Sequence, residues 1–268
     1  MRDRYRLVIL VILVIVVSAF LFSRPPMAQS LNYHNFVDQR AALGIPNFLN
    51  VISNLPFLIV GIWGLAVTTS RGHQESFLSD KERSPYIVFF LGVALTCVGS
   101  SYYHLHPSND TLVWDRLPMT LGFMGILSAT IAERISVNTG LKLLPFLVAA
   151  GVLSVFYWAW SEAYGQGDLR PYYLIQFGSL FLMLALLLLF RPRYTRSWCL
   201  WVALGLYVTA KFLESFDRQI YLASHFVSGH TLKHLAAATA AFFVAIMLER
   251  RSTRRVGSHE TASVLAPE

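Results

Sequence analysis

Gly229-His230-Thr-Leu-Lys-His234-Leu-Ala-Ala-Ala-Thr-Ala-Ala-Phe-Phe-Val-Ala-Ile-Met-Leu248 decides the fold. From Leu235 to Leu248 the stretch carries no charge, and its length approaches the roughly 20 residues with which a helix crosses a ~30 Å hydrocarbon core. Seven further apolar runs recur at 7–22, 48–67, 86–103, 117–132, 144–160, 173–190 and 198–212. The chain has 268 residues, 55% of them hydrophobic and 14% charged, more apolar surface than a soluble interior of this size can hide. The pattern predicts an all-α polytopic membrane protein: a seven-helix transmembrane bundle behind an N-terminal hydrophobic segment.

Three units follow from the same pattern: an N-terminal hydrophobic segment over 1–30, a membrane domain over 31–250 and a polar tail over 251–268. The first reads as a signal anchor or a signal peptide, giving eight spans if retained and seven if cleaved. The net charge of +7 lies in short connectors and at the chain ends. No basic groove with interleaved aromatics appears, which argues against a nucleic-acid partner. Alternating spans place Arg71, Lys81, Arg83, Arg134, Lys142, Arg191, Arg193, Arg196 and the tail arginines on one side. Asp38, Asp110, Asp115, Glu162, Asp168, Glu214 and Asp217 fall on the other. The positive-inside rule then makes both termini cytoplasmic. Cys97 and Cys199 fall inside spans without metal-ligand spacing and read as apolar packing residues.

His230 and His234 lie four apart, so both rings occupy one helix face and can serve one ion. The plainer reading is two interfacial histidines bonded to loops. His104 closes the run Gly99-Ser-Ser-Tyr-Tyr-His104 at the same expected membrane face. Three imidazoles with a fourth position open would suit catalytic zinc, and ionisable groups at membrane depth are functional candidates by default. His225 and His106 read as loop and solvent-facing residues. Ser100 shares the face of His104, or packs as a small helix-contact residue. Asp115 and Pro118 also fit a helix's first turn, where a carboxylate meets the positive end of the dipole.

Taken together, Ser100, His104 and Asp115 at offsets of zero, four and fifteen, with His230 and His234 on the last span, resemble the alkaline ceramidase family. That family belongs to a superfamily that includes the adiponectin and progestin receptors. The resemblance covers 32–248. It implies seven spans, a Zn²⁺ ion held by His104, His230 and His234, catalytic roles for Asp115 and Ser100, and a ceramide-like lipid substrate taken from the membrane. It further implies a Ca²⁺ site in Asn32-Tyr-His-Asn-Phe-Val-Asp38 and Asn47-Phe-Leu-Asn50-Val-Ile-Ser-Asn54. This stretch has one carboxylate, Asp38, where a hard cation usually takes several. Asn47, Asn50 and Asn54 read equally as hydrogen-bonding residues between helices.

The expected chemistry is metal-assisted hydrolysis of a lipid amide, with Asp115 moving the proton and Ser100 donating to an oxyanion or orienting a histidine. A receptor-like protein of the same superfamily would carry the same three ligands. A transporter with a histidine proton relay is a third reading, without an evident inverted repeat. Phe156, Tyr157, Trp158, Trp160 and Tyr164 read as an interfacial aromatic belt or a substrate wall.

Overall fold

The computed structural model describes residues 2–70, 72 and 76–253. In chain order the helices are α1 (Arg2–Phe22), α2 (Phe48–Ile52), α3 (Leu55–Thr69), α4 (Arg83–Leu105), α5 (Asn109–Arg134) and α6 (Val137–Ala163). Then come α7 (Arg170–Tyr173), a π-helical turn (Leu174–Gly178), α8 (Ser179–Leu189), α9 (Trp198–Ser215), α10 (Asp217–Ser224) and α11 (Gly229–Arg250). The result is the all-α membrane bundle that the apolar runs predict, with α1 as the additional N-terminal helix.

Among the described residues, six helical segments are long and apolar enough to cross a membrane, and α9 with α10, bent by 75° at their junction, makes a seventh if the pair is one span. The α5 helix is 26 residues long and carries the apolar run 117–132 between charged ends. Its Asp115, Arg116, Glu133 and Arg134 are all buried, turned into the bundle rather than toward lipid. Consecutive helices α3, α4, α5 and α6 pack side by side, while α11 packs on both α3 and α9. Leu10 of α1 joins an apolar cluster with Phe123, Met124 and Leu186, although most of α1 faces outward.

The start of α5 corrects one reading of Asp115. Ser108 caps the helix: its Oγ accepts from Thr111 N at 3.2 Å, and Thr111 Oγ1 accepts from Ser108 N at 3.1 Å. This reciprocal pair satisfies the first free amides well upstream of the apolar run. Asp115 therefore sits inside the helix, not at its dipole end, and Pro118 is an internal proline.

Pro118 has no N–H, so the carbonyl of Trp114 loses its usual helical donor. Gly99 of α4 lies directly against that carbonyl, and a Cβ there would stand 2.0 Å from the oxygen. Gly92, seven residues earlier, meets the Pro118 carbonyl and the Gly122 amide in the same way. Small residues thus bring α4 and α5 into backbone contact. Gly99→Ala is expected to force the helices apart, destabilising the protein by about 1–3 kcal/mol. Thermal melts in detergent check this; an unchanged Tm would show that the contact yields without cost.

The two ends of the bundle differ. From Asp115 to Glu133, α5 runs about 27 Å at 1.5 Å per residue. At the far end Arg251 donates to Ser76 O at 2.8 Å and Tyr86 OH at 2.9 Å, and lies 3.5 Å from Glu133. Tyr194 OH donates to Glu82 at 2.6 Å, and Arg134 donates to Phe190 O at 2.8 Å. Arg251, the first residue of the expected tail, is thereby packed into the bundle. Residues 254–268 of that tail, and Arg71, lie outside the described residues.

In the aromatic stretch, Phe156, Tyr157, Trp160 and Tyr164 are exposed, as a belt requires. Trp158 is fully buried and belongs to the interior.

Candidate metal centre and active site

His104 ends α4, while His230 and His234 occupy the first two turns of α11. What fixes α11 is local. Ser228 Oγ accepts from Thr231 N at 3.1 Å, and Asp217 Oδ1 from α10 accepts from His230 N at 2.7 Å. Both are first-turn amides with no intrahelical acceptor. Gly229 lets this turn lie against the Leu213 carbonyl of α9, 2.1 Å from where a Cβ would stand. His225 caps α10 in a left-handed conformation and His106 is exposed, so neither joins the cluster.

The three rings form a near-equilateral triangle, with centroids 4.9 Å (His104–His230), 5.1 Å (His104–His234) and 4.9 Å (His230–His234) apart. All three are buried, and one ring nitrogen from each lies within 4.8 Å of the others. Among the described residues, this is the one group of three or more His, Cys, Asp or Glu side chains close enough to share an ion.

The donor set fits zinc on two observations. His104 Nε2 and His230 Nε2 stand 3.3 Å apart. Two nitrogens at ~2.0–2.1 Å from one tetrahedral zinc are about 3.4 Å apart. The second concerns tautomers. Ser53 Oγ donates to Asn50 O at 3.1 Å and lies 2.8 Å from His234 Nδ1, so it accepts that ring's proton. The lone pair of His234 then sits on Nε2. An outer partner of this kind is what orients a metal-ligating histidine. Ser53→Ala is expected to weaken metal binding about 10–100-fold, measured by competition with a chelator; unchanged affinity would mean that packing alone orients the ring.

Phe36 covers the triangle, its ring 4.7 Å from His104 and 4.8 Å from His230. Asn47 Nδ2 donates to His104 O at 2.8 Å and Asn50 Oδ1 accepts from Thr231 at 3.0 Å, so two of the three asparagines join helices. The same segment does not fit calcium. Arg40 occupies both oxygens of Asp38 at 2.8 Å each and holds its carboxyl below the usual carboxylate range. The guanidinium stands where a cation would need those oxygens.

Ser100, Asp115 and His234 face one cavity of about 300 Å³; His104 and His230 are not on its wall. Ser100 and Asp115 are neighbours on this wall, a consequence of the close α4–α5 approach. Glu214 at this end binds Lys233 at 2.6 Å and Tyr33 OH at 3.2 Å, and also pairs with Lys211. From His234 the cavity follows α11 to Val244, about 15 Å at helical rise. Below the polar groups its walls are apolar, with Phe89, Phe123, Met183 and Leu204 among them. Gln176, in the π-helical turn, also lines it and donates to Tyr207 OH at 2.7 Å.

A family model described as Ceramidase matches residues 40–265. The chain belongs to the ceramidase family. No curated protein matches it. Membership assigns this ceramidase a ceramide-hydrolysing activity in general terms, that of a hydrolase acting on an amide. It also agrees with the helical architecture and with a lipid substrate. Ser53, Asp217 and Phe36 support the histidines, a role that the sequence does not show: Ser53 and Phe36 lie in the stretches read for calcium, and Asp217 among the acidic connector residues.

Proposed function

We propose that this chain is a zinc-dependent intramembrane amidase that cleaves ceramide or a related long-chain N-acyl lipid to an amine and a fatty acid. The supporting observation is the triangle of buried imidazoles beside a deep apolar cavity. His104, His230 and His234 hold the ion, which when bound supplies water activation near neutral pH and polarisation of a carbonyl. Asp115, on the cavity wall and not among the ligands, accepts the attacking water's proton and returns it to the leaving amine. Ser100, on the same wall, donates its one hydroxyl proton to the developing oxyanion. The apolar walls hold the acyl and base chains and exclude water from them.

Entry from lipid fits the packing. The contact between α8 and α9 is thin, and both helices contribute cavity walls through Met183 and Leu204. In the membrane, the basic end lies in the cytoplasm with both termini, and the metal centre lies near the opposite face. Residues 31–250 form the enzymatic domain, 1–30 act as its anchor, and 251–268 form the tail.

The test uses purified full-length protein in detergent, with metal content determined and fatty-acid release from ceramide followed. One zinc per chain with release that stops on chelation is expected. Zinc without turnover of any amide lipid would overturn the hydrolase reading and leave a receptor-like role.

A further inference from the structure

We propose that Arg116 is a head-group anchor, donating from Nη1 to a hydroxyl oxygen of an uncharged amide lipid. The proposal rests on the amidase reading for where the amide lies, at Asp115. The Arg116 side chain is buried, with the residue only 5% exposed. Its guanidinium lies 4.2 Å from the Trp158 ring centre and 4.7 Å from that of Tyr172. Cation–π contact on these rings fixes the plane of the guanidinium before any ligand arrives. Nη2 donates to Gln29 Oε1 at 2.5 Å, whereas Nη1 is buried without a partner. Gln29 is itself held, its backbone N–H donating to Glu162 at 2.5 Å, and Glu162 also accepts from Trp158 Nε1 at 3.0 Å.

A buried donor without an acceptor is costly and calls for an explanation. The cavity supplies one, because Arg116 lines it together with Gln29, Tyr33, Asp115 and Tyr172. Successive helical residues point about 100° apart. Asp115 therefore meets Ser100 on α4, while Arg116 meets Trp158 on α6 and Tyr172 on α7. A lipid lying across both presents its head to Arg116 and its carbonyl to Asp115, with its chains running toward Val244.

The open nitrogen also indicates which head fits. Phosphate and carboxylate take two parallel N–H bonds from a guanidinium fork, and here Gln29 occupies part of that fork. Lys211 and Lys233 are both engaged by Glu214 and add no ready cradle for an anion. One donor without an acceptor, on a residue that lines an apolar cavity, suits one neutral oxygen.

The experiment measures binding to full-length Asp115→Asn protein, which separates affinity from turnover. The two probes are ceramide and an analogue lacking the head hydroxyls. A preference for ceramide of about 10–100-fold is expected, the range for a hydrogen bond from a charged donor. Adding Arg116→Gln should reduce that preference to within about threefold. Equal binding of the two probes to the Asp115→Asn protein alone overturns the proposal even if Arg116→Gln fails to fold. A preference that persists in a folded Arg116→Gln protein overturns it too. Fatty-acid release by the native protein is scored separately. Hydroxyl-dependent binding without release supports the anchor and sinks the amidase reading, whereas release with equal binding of both probes sinks the anchor alone.

Discussion

Asp115→Asn is expected to lower fatty-acid release by about 10²–10⁴-fold, the usual contribution of a positioned acid–base group, while zinc stays bound. The substitution keeps the shape of the side chain and one carbonyl oxygen, but the amide cannot take up a proton and return it. Asp115 has no competing capping role, because Ser108 and Thr111 satisfy the start of α5. It also stands outside the ligand group formed by the three histidines. The loss should therefore fall on kcat rather than on metal content. Steady-state kinetics on ceramide, paired with elemental analysis of the same preparation, checks both. Retention of more than about a tenth of the native rate would take Asp115 out of the proton transfer and leave it a packing role beside Ser100.

Replacing His234 with Ala is expected to weaken metal binding by more than about 100-fold and to bring hydrolysis to background. Losing an outer-shell partner alone costs about 10–100-fold, and His234 is a ligand rather than a support. It also joins the metal centre to the cavity, being the one histidine of the three on the cavity wall. A second readout follows from linkage, since an ion that binds only the folded state raises its stability. Chelation should lower the Tm of the native protein and leave that of His234→Ala unchanged. Full-affinity binding by the variant would place the ion elsewhere.

Much of this was legible in the residues. Apolar runs near membrane thickness gave the helices, because hydrocarbon thickness fixes their length. The four-residue spacing of His230 and His234 gave a shared face, because helical geometry fixes it. The supports of the site were not legible, since they depend on chain reversals that no local pattern encodes. Ser53 reaches His234 across 181 residues of sequence. The depth of Asp115 was hidden because the capping pair lies in a polar connector outside the apolar run. Calcium binding looked open because Asp38 and Arg40 are near neighbours, and only the fold shows the guanidinium turned back onto the carboxylate. The setting of Arg116 against Trp158 and Tyr172, which lie on two other helices, is likewise a product of the fold.

The most direct test of the account is zinc-edge X-ray absorption on the native full-length protein, with metal stoichiometry on the same sample. The account predicts one zinc per chain, a first shell of nitrogen and oxygen at about 2.0–2.1 Å with the signature of three imidazoles, and loss of that shell in His230→Ala. A metal-free preparation that still hydrolyses ceramide, or a shell containing sulfur, would contradict it.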